Sequence, residues 1–394
     1  MKSFLGLGLL TTALAACSSA PSYRDDAEFL YAHTRCYEFE SGSGRFVVAP
    51  ELQGRVMTAA TDEHGPSLGF VNRDAVAQPA PESAFANYGG AERFWIGPES
   101  GPYAFFFDAG APHERELWRV PPGLNAGTFR VVGHDEKRLL MERDLELRNI
   151  AGGEFRMRVA REVDVPFPAE VRAACGGEAL AGNWTAFRSR TTITNTGPRA
   201  WTREQGLPCI WVLGMFRPGP RAWAIAPFRS GAADPDGGPA VRSDYFGDVP
   251  PERFRLGSNF AVFAADAGQV GKIGVLRNRA VDRIASWDPE TRIFTLVTFS
   301  PLDRNAPYLS EHWGTTLPDP YYGDVVNAYN HGGPEPFFEL ETSSPALALA
   351  PGASHTHVAM TIHARLDDDA TLARVLRGAL GINSEEFATL TGAD

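Results

Sequence analysis

Glu339 and Glu341 stand two positions apart in the run Phe337-Phe338-Glu339-Leu340-Glu341-Thr342-Ser343-Ser344-Pro345. The run reads as a strand, so both carboxylates leave the same face, a few ångströms from each other. Carboxylates that close can split their pKa values, one keeping its proton, which is what general acid and base work requires. A strand face on which one glutamate simply binds an arginine would carry the same residues. Just before this run, Tyr321-Tyr322-Gly323-Asp324-Val325-Val326-Asn327-Ala328-Tyr329-Asn330-His331-Gly332-Gly333-Pro334-Glu335-Pro336 is dense in hydrogen-bonding and aromatic side chains and is expected to be a loop. Flat rings stack on the apolar face of a sugar, and planar Asn, Asp, Glu and His groups pair with its hydroxyls. His331 titrates near neutrality when unperturbed and is the natural proton carrier, with Asn330 and Glu335 as binding groups. Gly332 and Gly333 let backbone approach a ligand.

A weaker group of the same kind is Glu311-His312-Trp313-Gly314, which offers His312 and Trp313. In the first third, Tyr88-Gly89-Gly90-Ala91-Glu92-Arg93-Phe94-Trp95-Ile96-Gly97-Pro98-Glu99 sets charge and aromatics between glycines. Arg93 can clamp a carboxylate or a hydroxyl pair with its fork of donors, and Glu92 or Glu99 can orient it. A structural salt bridge accounts for the same residues. Trp184, Trp211 and Trp313 are further aromatic platforms, more in keeping with core than with ligand stacking.

The elements that must position these groups are strands. Forty glycines and 30 prolines cut the chain into short segments, between which lie β-branched and aromatic runs. Strands are expected at 45–49, 54–59, 103–107, 156–163, 191–195 and 293–299. Alternation over 156–163 predicts one face in water and one in the core. One helix stands out near the end: Asp369 can cap 370–379, with Leu372, Val375, Leu376 and Leu380 on one face and Gly378 or Gly381 at its close. No fixed-period repeat occurs, which disfavours propellers and solenoids and leaves a sandwich or barrel.

Composition is that of an ordinary globular chain, with 43% apolar and 22% charged residues. The net charge of -11 argues against nucleic acid or an anionic lipid surface as partner. A neutral, hydroxyl-rich ligand fits better. Three cysteines besides Cys17, namely Cys36, Cys175 and Cys209, allow at most one disulfide. Metal-ligand spacing is absent, and neither a metal nor a cofactor is expected.

Lys2 followed by an apolar run from Phe4 to Ala16 reads as an export signal too short to span a bilayer. It closes on Leu14-Ala15-Ala16-Cys17, which resembles the lipobox of bacterial lipoproteins. That resemblance implies cleavage before Cys17 and lipid on its thiol, and Ser18 resembles an outer-membrane sorting residue. The expected organisation is a signal at 1–17, a tether at 18–26 and one domain at 27–394, held at the outer membrane facing the periplasm. Acyl chains then do the anchoring, without a transmembrane helix.

Three stretches together resemble the galactose mutarotase-like superfamily: Pro50-Glu51-Leu52-Gln53-Gly54-Arg55-Val56-Met57, Arg190-Thr191-Thr192-Ile193-Thr194-Asn195-Thr196-Gly197, and the Phe337–Pro345 run followed by Leu349-Ala350-Pro351-Gly352-Ala353-Ser354-His355-Thr356-His357. Similarity is strongest to a bacterial lipoprotein branch with Gly-Gly-x-x-Arg-Phe-Trp and Asn-His-Gly-Gly segments, here Gly89–Trp95 and Asn330–Gly333. The resemblance implies an all-β supersandwich with a short C-terminal helix and a sugar site in an open groove. It also implies a central histidine after the Asn-Thr-Gly strand, yet Gly206-Leu207-Pro208-Cys209-Ile210-Trp211-Val212-Leu213-Gly214 holds none. Only the glutamate role carries over, onto Glu341. Two functions follow as expectations: a carbohydrate-binding envelope lipoprotein acting by acid/base chemistry as an epimerase, lyase or hydrolase, with Glu341 as base and His331 as acid; or a non-catalytic glycan-binding or scaffold lipoprotein.

Overall fold

Alternating apolar runs pair into three antiparallel sheets in the computed structural model, which describes residues 21–78, 85–178, 180, 182–231, 239–310, 312–313 and 319–392. Cys17, the signal, residues 18–20, Glu311 and Gly314 lie outside the described residues. A small sheet joins Tyr37–Ser41, Gly44–Ala49 and Arg55–Ala60. A ten-stranded sheet runs in the order Phe254–Leu256, Phe260–Ala264, Trp223–Pro227, Arg283–Asp288, Ile293–Ser300, Ser354–Arg365, Trp184–Asn195, Glu154–Asp164, Arg138–Arg148, Arg130–His134. The third, six-stranded, runs Val241–Arg242, Gly271–Leu276, Asp324–Asn330, Phe338–Ser343, Cys209–Phe216, Arg93–Gly97.

The main core lies between the two large sheets, where Phe94, Ile210, Val326 and Leu340 share one apolar cluster with Val159, Phe187, Ile193 and Ala359. Glu154–Asp164 alternates as expected, with Phe155, Met157, Val159 and Val163 buried and Arg156 and Arg158 outside. Strands such as Phe260–Ala264 are apolar on both faces for a different reason. Helices Pro168–Ala174, Asp369–Val375 and Ser384–Thr391 cover the outer side of the ten-stranded sheet, where Val375, Leu376 and Phe387 meet Ile225, Trp287 and Ile362. The fold is an all-β sandwich closed by short C-terminal helices.

Several elements depart from expectation. Residues 103–107 form no strand: Phe105, Phe106 and Phe107 are all buried, so the run plugs the core instead of alternating. Residues 324–330, expected as loop, are a strand, because both neighbours offer it a full ladder. The helix expected at 370–379 begins at Asp369, capped by Asp368, and widens into a π turn at Leu376–Leu380 that ends on left-handed Gly381. Residues 23–26, expected as tether, open the helix Tyr23–His33. Ser22 and Asp25 exchange side-chain and backbone hydrogen bonds as a capping box. Asp26 is fully buried and holds Arg73 at 2.8 Å and Arg217 at 2.9 Å, pinning this helix to the body. Among the described residues no disulfide forms at Cys36, Cys175 or Cys209.

Candidate active site

Register decides which side chains meet. Glu341 lies opposite Leu213 on one side and Asn327 on the other; Glu339 lies opposite Met215 and Tyr329; Arg93 pairs with Leu213 and Lys272 with Tyr329. Because neighbours in register share a face, Arg93, Leu213, Met215, Glu339, Glu341, Tyr329 and Lys272 rise from one side of the six-stranded sheet. They floor a cleft of about 280 Å³. Its walls add Trp95, Trp118 and Trp211, with Phe85 and Phe246 half exposed at the rim. Glu99, His331 and Glu335 complete the polar lining.

Each floor carboxylate is held by a cation. Arg93 Nη2 donates to Glu339 Oε1 at 2.8 Å, and its guanidinium lies 4.0 Å from the centre of the Trp95 ring. Lys272 Nζ donates to Glu341 Oε2 at 2.8 Å, and Trp211 Nε1 donates to the same oxygen at 3.0 Å. Glu341 Oε1 is buried and receives no hydrogen bond, leaving its lone pairs for an incoming donor. Burial pushes the Glu339 carboxyl up to about 7 against the pull of Arg93, with the Glu341 charge adding to the rise. Burial also raises Glu99. It lowers His331, against a smaller opposing effect of Glu335. The His331 ring stacks on Phe337 at 4.5 Å, and its Nδ1 lies 3.0 Å from the Tyr329 hydroxyl.

Glu339, Glu341, His331, Glu335 and Arg93 thus line one cleft. Other expected site residues lie elsewhere. Glu92 points between the two large sheets, where Arg161 Nη2 donates to it at 2.7 Å and Ser189 Oγ at 2.9 Å; neighbouring Arg93 is turned to the opposite face by the pleat. Asn330 is fully buried and binds the 266–269 turn, donating to Gln269 O at 2.9 Å and accepting from Ala267 N. Trp313 packs beside Phe107 and His113. His312 approaches Asp244 at 3.4 Å and the Tyr245 ring. None of these four lines the cleft. Lys272 joins the cleft from outside the expected set, and Tyr329 from within the expected loop. A lone lysine inside the apolar run Gly271–Leu276 was a readable signal, since buried lysines are rare unless paired. Among the described residues no cluster of His, Cys, Asp or Glu could hold a metal ion.

A family model described as a family of unknown function, DUF6786, matches residues 21–391. No curated protein matches the chain. Among solved structures it is similar to a protein of Synechocystis, with 13% identity, 84% of this chain and 96% of that one covered, and a TM-score of 0.51. It is likewise similar to an Escherichia coli K12 protein titled as a candidate aldose 1-epimerase, with 13% identity, 84% and 99% coverage and a TM-score of 0.51. A galactose mutarotase-like protein of Lactobacillus casei aligns at 11% identity over 83% of this chain and 99% of that one, with a TM-score of 0.47. The fold is galactose mutarotase-like.

Proposed function

We propose that this chain, which belongs to the DUF6786 family, binds a carbohydrate in the Glu339/Glu341 cleft and exchanges protons with it. The observation that carries the reading is the open oxygen of Glu341, buried and without a hydrogen bond on a floor walled by tryptophans. A sugar hydroxyl supplies the missing donor, and an indole face suits the apolar side of a pyranose.

On a cyclic hemiacetal sugar the step balances as follows. Glu341 Oε1 takes the proton of the anomeric hydroxyl, the bond from anomeric carbon to ring oxygen breaks to leave a carbonyl, and protonated Glu339 gives its proton to the ring oxygen. Rotation and reclosure run both transfers backwards and invert the anomeric centre. Glu339, poised near neutrality, replaces His331 as the acid, because burial holds His331 in its neutral form. His331 then serves as a hydrogen-bonding wall. The residues opposite Glu339 and Glu341 on the neighbouring strand, Met215 and Leu213, are apolar, so no histidine from that strand faces the floor.

Saturation-transfer NMR on the two anomers of glucose tests this. Wild type should accelerate anomeric exchange, and Glu341→Gln should lose about 100-fold or more while still binding. Equal exchange by both would sink the acid/base role. A capture-only reading draws on the same ion pairs, since Arg93 and Lys272 already occupy one oxygen of each carboxylate; binding with no exchange in wild type would favour it. The lipobox-like Leu14–Cys17 segment supports attachment to the periplasmic side of an outer membrane by lipid.

A further inference from the structure

The cleft holds more carboxyl groups than basic ones. Four glutamates, Glu99, Glu335, Glu339 and Glu341, line it against two cations, Arg93 and Lys272. Lys272 is committed to Glu341 and Arg93 lies against Glu339, at 2.8 Å each. A phosphate or uronate drawn to Lys272 would have to take it from buried Glu341, leaving that charge unpaired at high cost, and would face Glu335 in the same cleft.

Glu335 differs from the floor pair. Asn72 Nδ2 donates to its Oε1 at 2.8 Å and Asn87 Nδ2 to its Oε2 at 2.7 Å. These neutral amides come from two separate points of the 72–87 segment and fix the carboxylate's orientation. Among the described residues no cation neutralises it, and each oxygen keeps lone-pair capacity for another donor. Among the described residues no cation lies over two of the aromatic walls, Trp118, held by Phe85 and Phe106, and Phe246, held by Tyr329. A ligand ammonium beside Glu335 would gain both a charged acceptor and π faces.

We infer that the sugar is cationic, an amino sugar whose ammonium docks on Glu335. The inference rests on the carbohydrate reading of the same cleft and narrows it to one charge class. The overall charge of -11 favours approach of the same ligands.

Calorimetric titration at pH 6 with glucosamine, glucose, N-acetylglucosamine and glucose 6-phosphate separates the possibilities. Glucosamine should bind at least about tenfold tighter than glucose, a margin within the range of one charge-assisted hydrogen bond. N-acetylglucosamine, which keeps the shape and loses the charge, should fall to the glucose level, and the phosphate should bind more weakly than glucose. The glucosamine preference should narrow as salt rises from 20 to 300 mM, because screening shortens the reach of the charge. In Glu335→Gln, shown folded by its unfolding transition, the ratio of glucosamine to glucose affinity should drop towards one. Equal binding of glucosamine and glucose by wild type, or tighter binding of the phosphate, overturns the inference and leaves the carbohydrate reading standing. Failure of all four sugars to bind overturns both.

Discussion

Arg93 and Glu339 are two strands apart, yet they touch: the Arg93 side chain crosses the strand Cys209–Phe216 to place Nη2 2.8 Å from Glu339 Oε1. Both side chains are nearly inaccessible, at 5% and 6% exposure. Removing one partner of such a pair strands a buried charge and costs about 3–5 kcal/mol. Arg93→Met should therefore lower the unfolding free energy by that amount in urea titration at pH 8, above the folded Glu339 value of about 7, where the carboxylate is charged. Adding Glu339→Gln should recover much of it, a coupling that a double-mutant cycle reads directly. A single-mutant cost within ~0.5 kcal/mol of zero would mean that the bridge is not what holds this sheet face.

Glu339 should also tilt the pH dependence of stability. Its folded pKa, about 7, stands above the ~4.3 of an unfolded glutamate, so the native state binds the proton more tightly. Its contribution is full below about pH 4.3 and declines as pH rises through the folded value near 7. Glu339→Gln should flatten that decline when urea midpoints are compared at pH 5 and pH 8. The same protonation sets an activity limb, with anomeric exchange falling above about pH 7 as the acid is lost.

Two histidines act in the opposite direction. His357 and His363 are wholly buried, and desolvation pushes both down to about 3. Each makes one side-chain hydrogen bond, with His357 Nε2 2.9 Å from Thr342 Oγ1 and His363 Nδ1 2.9 Å from Thr295 Oγ1, while the other ring nitrogen is buried without a partner, which penalises a charged ring further. An unfolded histidine takes its proton near pH ~6.5, so this stability is present above that pH and drains away as acidity increases towards 3. His357→Gln should make stability fall less steeply between pH 6.5 and 4.5, as followed by near-ultraviolet circular dichroism. An unchanged slope would show that the ring is already charged in the native state.

Cys17 carries the attachment proposal. Cys17→Ser, expressed in a Gram-negative host, should leave the membrane fraction for the soluble periplasmic one and lose labelling by a fatty-acid analogue. Retention in the membrane fraction without label would point to some other mode of attachment.

The architecture was legible because its strands obey simple periods: Glu154–Asp164 alternates residue by residue, and the acidic strand runs Phe338–Ser343 where its pattern placed it. Runs without alternation misled. Residues 103–107 look like a strand but satisfy their burial as a plug, and 324–330 carry so many polar groups that they read as loop. At the site, the two-residue spacing of Glu339 and Glu341 is a local fact and survives into three dimensions. What partners them is not local: Arg93 and Lys272 lie 246 and 69 positions away from the carboxylates they hold. The contrast between Glu92 and Arg93 shows the limit well, since adjacent residues point to opposite sides of a sheet and only the strand order says which side is open. The capping box Ser22-x-x-Asp25 is a local signal for the helix that starts at Tyr23.

The early start of the N-terminal helix shortens any leash. From Cys17 to Ser22 there are only five residue steps, which fully stretched reach about 17 Å. With Asp26 clamped by Arg73 and Arg217, no further slack can be drawn from the body. A lipid on Cys17 would therefore keep this protein skimming the bilayer in two dimensions, sampling sugars close to the headgroups and unable to swing out across the compartment.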